Sequence, residues 1–214
     1  MKTVSLFVPV VFSVALASTA FGQIIPGDET TYPSVSIVNT PHNLNNYPGI
    51  SLPGNQVCLP CHTPHNALLA GDENVLWNHA ETGETFVMYK STAGQPEGPS
   101  KMCLSCHDGV TAIDNYGGTG GTGIVITGNA AIGTDLSNDH PIGIEYPTAS
   151  PTEFRDPATF APGVGGGPGV QLVTIGGLER VECTSCHNVH NNGLGTFLRV
   201  PLQESYICLQ CHIK

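Results

Sequence analysis

A five-residue pattern, Cys-x-x-Cys-His, occurs four times in this 214-residue chain and uses all eight of its cysteines. Residues three and four apart share one face of a helical turn, so both thiols and the imidazole can approach one bound group. In c-type haem attachment, the two thiols form thioethers with the porphyrin and the histidine binds the iron. The predicted attachment residues are Cys58, Cys61, Cys103, Cys106, Cys183, Cys186, Cys208 and Cys211, and the predicted proximal ligands are His62, His107, His187 and His212.

Structural zinc and disulfide bonds are the alternatives. Two Cys-x-x-Cys pairs could close one tetrahedral zinc site, and eight cysteines could form disulfides. Neither alternative explains why a histidine follows every second cysteine. The pattern therefore favours four covalently bound haem c groups, each carrying iron.

The first 22 residues are typical of a secretory signal peptide. Met1 and Lys2 precede an apolar run, Val4–Ala17, and either Ser18-Thr19-Ala20 or Ala20-Phe21-Gly22 would serve as the cleavage site. The mature chain, residues 23–214, is expected to be exported and secreted, either extracellular or at the cell surface, with the periplasm as the alternative. An uncleaved anchor is the competing interpretation, but the run is short for a transmembrane helix and no later segment is apolar for long enough.

The composition predicts a fold with little regular structure. Only 11% of residues are charged, against about a quarter in an average soluble domain, and there are 26 glycines and 17 prolines. We expect a multihaem cytochrome c fold: mostly irregular coil wrapped around a haem stack, with short helices at the motifs and one or two small β-hairpins. Residues 123–127 and 170–174, in a Gly-rich connector, have strand character.

The net charge of −10 becomes −11 without the leader, because Lys2 is lost. Nucleic-acid binding calls for clustered Lys and Arg, so this balance argues against it. A surface with few charges is consistent with extensive subunit contacts. It is equally consistent with a surface that faces only solvent.

The motifs divide into two dihaem halves of one tetrahaem domain, about residues 23–116 and 135–214. In each half a motif histidine is followed three residues later by another, His65 after His62 and His190 after His187. Each half also has one histidine upstream in a turn-like setting, His42 or His140. The parallel layout resembles an internal duplication.

The extra histidines predict bis-histidine ligation, because methionines are too few to serve four irons. His65 cannot easily bind the iron that His62 holds, so we expect it to reach a second haem packed beside the first, and His190 to do the same in its half. The predicted distal ligands are His42, His65, His140 and His190. His79 is a further candidate; if it binds iron, another histidine is displaced or serves a neighbouring subunit.

These segments together resemble the outer-surface multihaem cytochromes of metal-respiring bacteria, and most of all the OmcE-like tetrahaem cytochromes that form extracellular filaments. The resemblance rests on Asn39–Leu44, Cys61–Ala67, Leu76–Asn78, Cys103–Gly109, Asp135–Pro141, Cys183–His190 and Cys208–His212. It implies coil-like protein, bis-histidine haems in a continuous stack that crosses subunit boundaries, and one distal histidine supplied by the adjacent subunit.

The expected function is extracellular electron transfer through closely packed haems, by a homopolymeric filament without catalytic residues. Other redox proteins would donate the electrons, and external oxidants such as metal oxides would accept them. One alternative is a monomeric periplasmic tetrahaem shuttle. Another is a multihaem oxyanion reductase, which would need an iron with a vacant or weak sixth ligand.

Overall fold

A computed structural model describes residues 37–67, 75–89, 94–163 and 167–214. The predicted signal peptide lies outside these residues. The described chain is mostly irregular, with three short α-helices and one small sheet, so this part of the predicted fold is confirmed. No helix in the described ranges has the length and apolarity needed to cross a membrane.

The three α-helices all contain cysteines of the Cys-x-x-Cys-His motifs, as predicted. They are α1, Gly98–His107; α2, Cys183–Cys186; and α3, Cys208–Cys211. Pro99 occupies the first turn of α1, where its missing N–H has no helical partner to lose. A reciprocal capping box between Glu182 and Ser185 begins α2.

The first motif differs from the others, because Cys58–His62 forms hydrogen-bonded turns without a regular helix. Its backbone nevertheless keeps the helical bond across the motif, with His62 N donating to Cys58 O at 2.8 Å. The same bond joins the last residue of the third and fourth motifs to the first cysteine, at 3.1 and 2.9 Å. The five-residue spacing thus has the same local geometry in these three copies.

A three-stranded antiparallel sheet is formed by β1, Ile144–Glu145, β2, Val173–Ile175, and β3, Leu178–Val181, in the order β1-β3-β2. Gly176 and Gly177 join β2 to β3 with φ of +61° and +80°, as a tight two-residue hairpin requires. The hairpin was expected in the connector, but its first strand starts later than predicted and its second strand was missed.

The strand predicted at residues 123–127 is wrong. Ile124 and Ile126 lie against buried side chains instead of a partner strand. Ile124 O accepts one backbone bond from Ile113 N at 2.9 Å, and no ladder continues from it among the described residues. The β-branched side chains therefore serve core packing here, and strand propensity alone does not supply a neighbouring strand.

The buried apolar core is small and divided. One cluster contains Leu44, Ile50, Leu52 and Ile113, and a second contains Phe86, Leu104 and Leu136. Short 3-10 turns connect the elements: Ile37–Asn39, Leu44–Asn46, Pro53–Asn55, Gly128–Ala130, Pro157–Thr159 and Gln203–Ser205. The motif helices α1 and α2 pack directly against each other.

Candidate functional site

The eight cysteines all lie in the described residues and all are free. No group of three or more His, Cys, Asp or Glu side chains in the described part of the chain is arranged to hold a metal ion.

The cysteines of consecutive motifs lie near one another, in the order of the sequence. Burial, and then the neighbouring Cys61, raise the pKa of Cys106. Cys103 and Cys183 are in hydrogen-bonding contact through their thiols. Burial, and then Cys211, raise the pKa of Cys186 to about 11. Each motif therefore has a cysteine close to one of the next motif in the sequence.

Three of the four proximal candidates hold their ring Nδ1 against a backbone carbonyl. The pairs are His62 with Val75 O at 2.5 Å, His107 with Ala130 O at 2.7 Å, and His187 with Thr196 O at 2.7 Å. A carbonyl accepts only, so Nδ1 carries the proton and Nε2 keeps its lone pair. Metal-binding imidazoles are typically oriented in this way. The carbonyls were missed in the sequence, because any residue type can supply one.

Six histidines form three facing pairs. The ring centroids of His62 and His190 are 6.2 Å apart with an interplanar angle of 20°. Those of His42 and His107 are 6.1 Å apart at 87°, and those of His140 and His212 are 6.4 Å apart at 74°. Each pair joins one proximal candidate to one distal candidate.

This separation is the one that a single iron atom between two imidazoles requires. A metal–imidazole bond is about 2.0 Å long, and the ring centre lies roughly 1.1 Å behind the nitrogen, so two opposed rings have centroids about 6.2 Å apart. The observed values of 6.1, 6.2 and 6.4 Å match it. The centroid separations of the three pairs are therefore compatible with one iron atom between the two rings of each pair.

One pair crosses between the two halves of the chain. His190 lies opposite His62, the proximal candidate of the first half, although we expected it to serve an iron within its own half. The other two pairs stay within their halves, His42 with His107 and His140 with His212. The crossing pair ties the first motif to the segment that follows the third.

His187 and His65 are left over. Neither ring faces another imidazole in the described chain, and His65 is exposed. His187 is oriented like a proximal ligand and lines an open cavity of about 220 Å³ together with Cys183, Cys186 and the distal candidate His140, whose ring pairs with that of His212. Among the described residues, His187 is thus the one motif histidine without a paired imidazole ring.

His79 has a different environment from the other histidines. Its side chain is 1% exposed, with Nδ1 2.8 Å from Ala80 O and Nε2 3.1 Å from Ala112 O. Nε2 is also 3.4 Å from the sulfur of Cys106. Both ring nitrogens are thus occupied by protein atoms, which indicates a structural role beside the second motif.

Burial keeps the distal candidate His42 in the form that binds metals. Desolvation, and then the neighbouring His107 and His190, lower the pKa of His42 to about 4. Burial and His62 also lower the pKa of His190. Both rings are therefore biased toward the neutral state, in which imidazole coordinates a metal without first releasing a proton.

Comparison of the chain with models of known families and with curated proteins found no match.

Proposed function

We propose that this protein is an exported tetrahaem c-type cytochrome that transfers electrons outside the cytoplasm as a subunit of a polymeric filament. The observation that carries the proposal is that three motif histidines each face a second imidazole at 6.1–6.4 Å. The eight motif cysteines would hold the porphyrins, and the paired histidines would hold the irons. Bound haem supplies a reversible one-electron site at each position.

Electron transfer is favoured over catalysis because the paired imidazoles would fill both axial positions of an iron held between them. A strong ligand on each side would leave no place for a substrate at three of the four sites. Histidine opposite histidine also keeps the potential low compared with methionine, which suits the reduction of weak external oxidants such as metal oxides. The proximity of cysteines in consecutive motifs supports transfer from each haem to the next.

The leftover histidines support a polymer. His65 is exposed and His187 lacks an opposite ring in the described chain, so His65 of a neighbouring copy would complete the third site. Repetition of this contact is head-to-tail, which generates a filament when it does not close into a ring. Other redox proteins would supply the electrons to such an assembly.

The first experiment is production of the full chain in a bacterium with c-type haem maturation, followed by intact mass and pyridine haemochrome spectra. We expect four covalent haems per exported chain. Electron cryo-microscopy of the native material should show ordered fibres. A colourless protein that binds zinc contradicts the proposal, and a discrete haem-loaded monomer contradicts its polymeric part and favours the periplasmic shuttle.

The second experiment separates the polymer from a reductase, which the lone His187 would favour. His65→Ala should abolish fibres and leave one high-spin iron per chain. The matched control is His190→Ala, which removes a distal ligand within the chain and should leave the fibres intact. A high-spin iron in the wild-type protein that binds nitrite or carbon monoxide would instead support the multihaem oxyanion reductase.

A further inference from the structure

The two motif helices α1 and α2 meet at a polar junction. Ser100 and Ser105 of α1 are fully buried, and Glu182 and Ser185 at the start of α2 are each 1% exposed. Buried polar groups are costly unless they are hydrogen-bonded, so this burial points to specific partners.

Ser100 links the two helices directly. Its hydroxyl accepts the backbone N–H of Cys183 at 3.0 Å and donates to Oε2 of Glu182. The first N–H groups of a helix have no partner within it, so Ser100 caps α2 from a different helix. These partners lie 82 and 83 residues from Ser100 in the chain, so the link is tertiary.

The link lies where the second and third motifs touch. Cys103, one turn after Ser100, has its thiol in hydrogen-bonding contact with that of Cys183. In the haem-loaded protein proposed above, each of these two sulfurs would form a thioether bond, Cys103 to the second haem and Cys183 to the third. Directional hydrogen bonds favour one register of α1 against α2, whereas apolar contacts tolerate a slide.

We infer that Ser100 and Glu182 are positioning residues that hold the second and third haem-attachment helices in one register, and so set the gap that electrons cross between the two halves. This inference rests on the proposed function and goes beyond it, since neither side chain attaches a haem or faces an iron. The electron-tunnelling rate falls exponentially with the gap, so a slide at this junction slows transfer across it.

The test uses the haem-loaded full chain and matched variants. Ser100→Ala removes the bridging hydroxyl. Ser105→Ala is its control, because Ser105 is equally buried on the same helix but, among the described residues, its hydroxyl bonds to Thr82 N and Lys101 O and not to α2. Glu182→Leu breaks the same link from the α2 side, and Glu182→Gln keeps an oxygen that can accept from Ser100.

Haem content, thermal unfolding, Soret-region circular dichroism and electron redistribution after pulsed reduction are measured on each variant. We expect both serine variants to keep four haems and to lose about 2–10 °C in Tm. Ser100→Ala and Glu182→Leu should lose amplitude in the bisignate Soret signal, which reports porphyrin–porphyrin geometry, and should redistribute electrons more slowly. Ser105→Ala and Glu182→Gln should match the wild type in both.

Equal Soret signals and equal rates in Ser100→Ala, Glu182→Leu and Ser105→Ala would overturn the inference and leave the proposed function intact. A wild-type chain without four haems would overturn both.

Discussion

Replacement of His190 by alanine tests the ligand pair that joins the two halves. The rings of His190 and His62 are 6.2 Å apart and only 20° from parallel, whereas the other two pairs are 87° and 74° from parallel. Low-spin ferric haem with near-parallel imidazole planes gives a rhombic electron paramagnetic resonance spectrum. Near-perpendicular planes give a spectrum dominated by one large g value. The His62 site is therefore spectroscopically distinguishable from the other two.

We expect His190→Ala to convert one iron in four to the high-spin state. The rhombic component should fall by one haem per chain, while the two large-g components keep their intensity. Added imidazole should restore the rhombic intensity, because the vacated position again receives a nitrogen ligand. The potential of that one haem should rise, since a strong-field ligand stabilising ferric iron is lost.

His65→Ala is the matched control, because His65 follows the same motif histidine but lies exposed and faces no ring in the described chain. It should leave the spectrum of the His62 site unchanged. Two results would refute this reasoning: loss of large-g intensity in His190→Ala, or retention of four low-spin irons. The first result would mean that His190 serves an iron other than that of His62, and the second that it serves no iron.

Three further predictions concern the fold. Leu104→Ala should lower the free energy of unfolding by about 2–5 kcal/mol in urea denaturation, because it opens a cavity in a fully buried cluster. Gly121→Ala should destabilise the chain more than Gly120→Ala in the same assay: both have positive φ, but only at Gly121 would a Cβ meet Asp114 Oδ1, at 2.8 Å. Tyr146→Phe should cost about 1 kcal/mol at neutral pH, because its hydroxyl donates to a backbone carbonyl at 2.8 Å. Burial raises the pKa of Tyr146 to about 12, so the wild type should lose stability between about pH 10 and 12, and the variant should lack that part of the decline.

Several features of the site could be predicted from the sequence because they depend on residues within a single motif. The Cys-x-x-Cys-His spacing predicts one hydrogen-bonded turn, and the bond from the histidine N–H to the first cysteine carbonyl is present at 2.8–3.1 Å in the first, third and fourth motifs. The prediction of short motif helices in a mostly irregular chain is confirmed for the same reason. The division into halves and the haem content stay predictions.

The hairpin shows how far local signals extend. The pair Gly176 and Gly177 favours a tight two-residue turn, and the strand propensity of the preceding residues indicated the first strand of the hairpin. Residues 123–127 had the same propensity but pack their isoleucines on a side-chain cluster. Strand propensity is a property of the segment alone. A strand also requires a neighbouring strand to pair with, and that neighbour can be distant in the sequence.

The candidate attachment cysteines and the candidate axial histidines were predicted from residue type and spacing, because thioether formation and imidazole coordination admit few other side chains. Which imidazole faces which depended on the folded chain. His190 lies 128 residues from His62, and no spacing rule connects them. The occupation of both nitrogens of His79, the isolation of His187 and the bridge from Ser100 to Glu182 likewise arise from long-range packing. These contacts join residues that are far apart in the sequence. Their formation depends on the path of all the intervening residues, which no local pattern specifies.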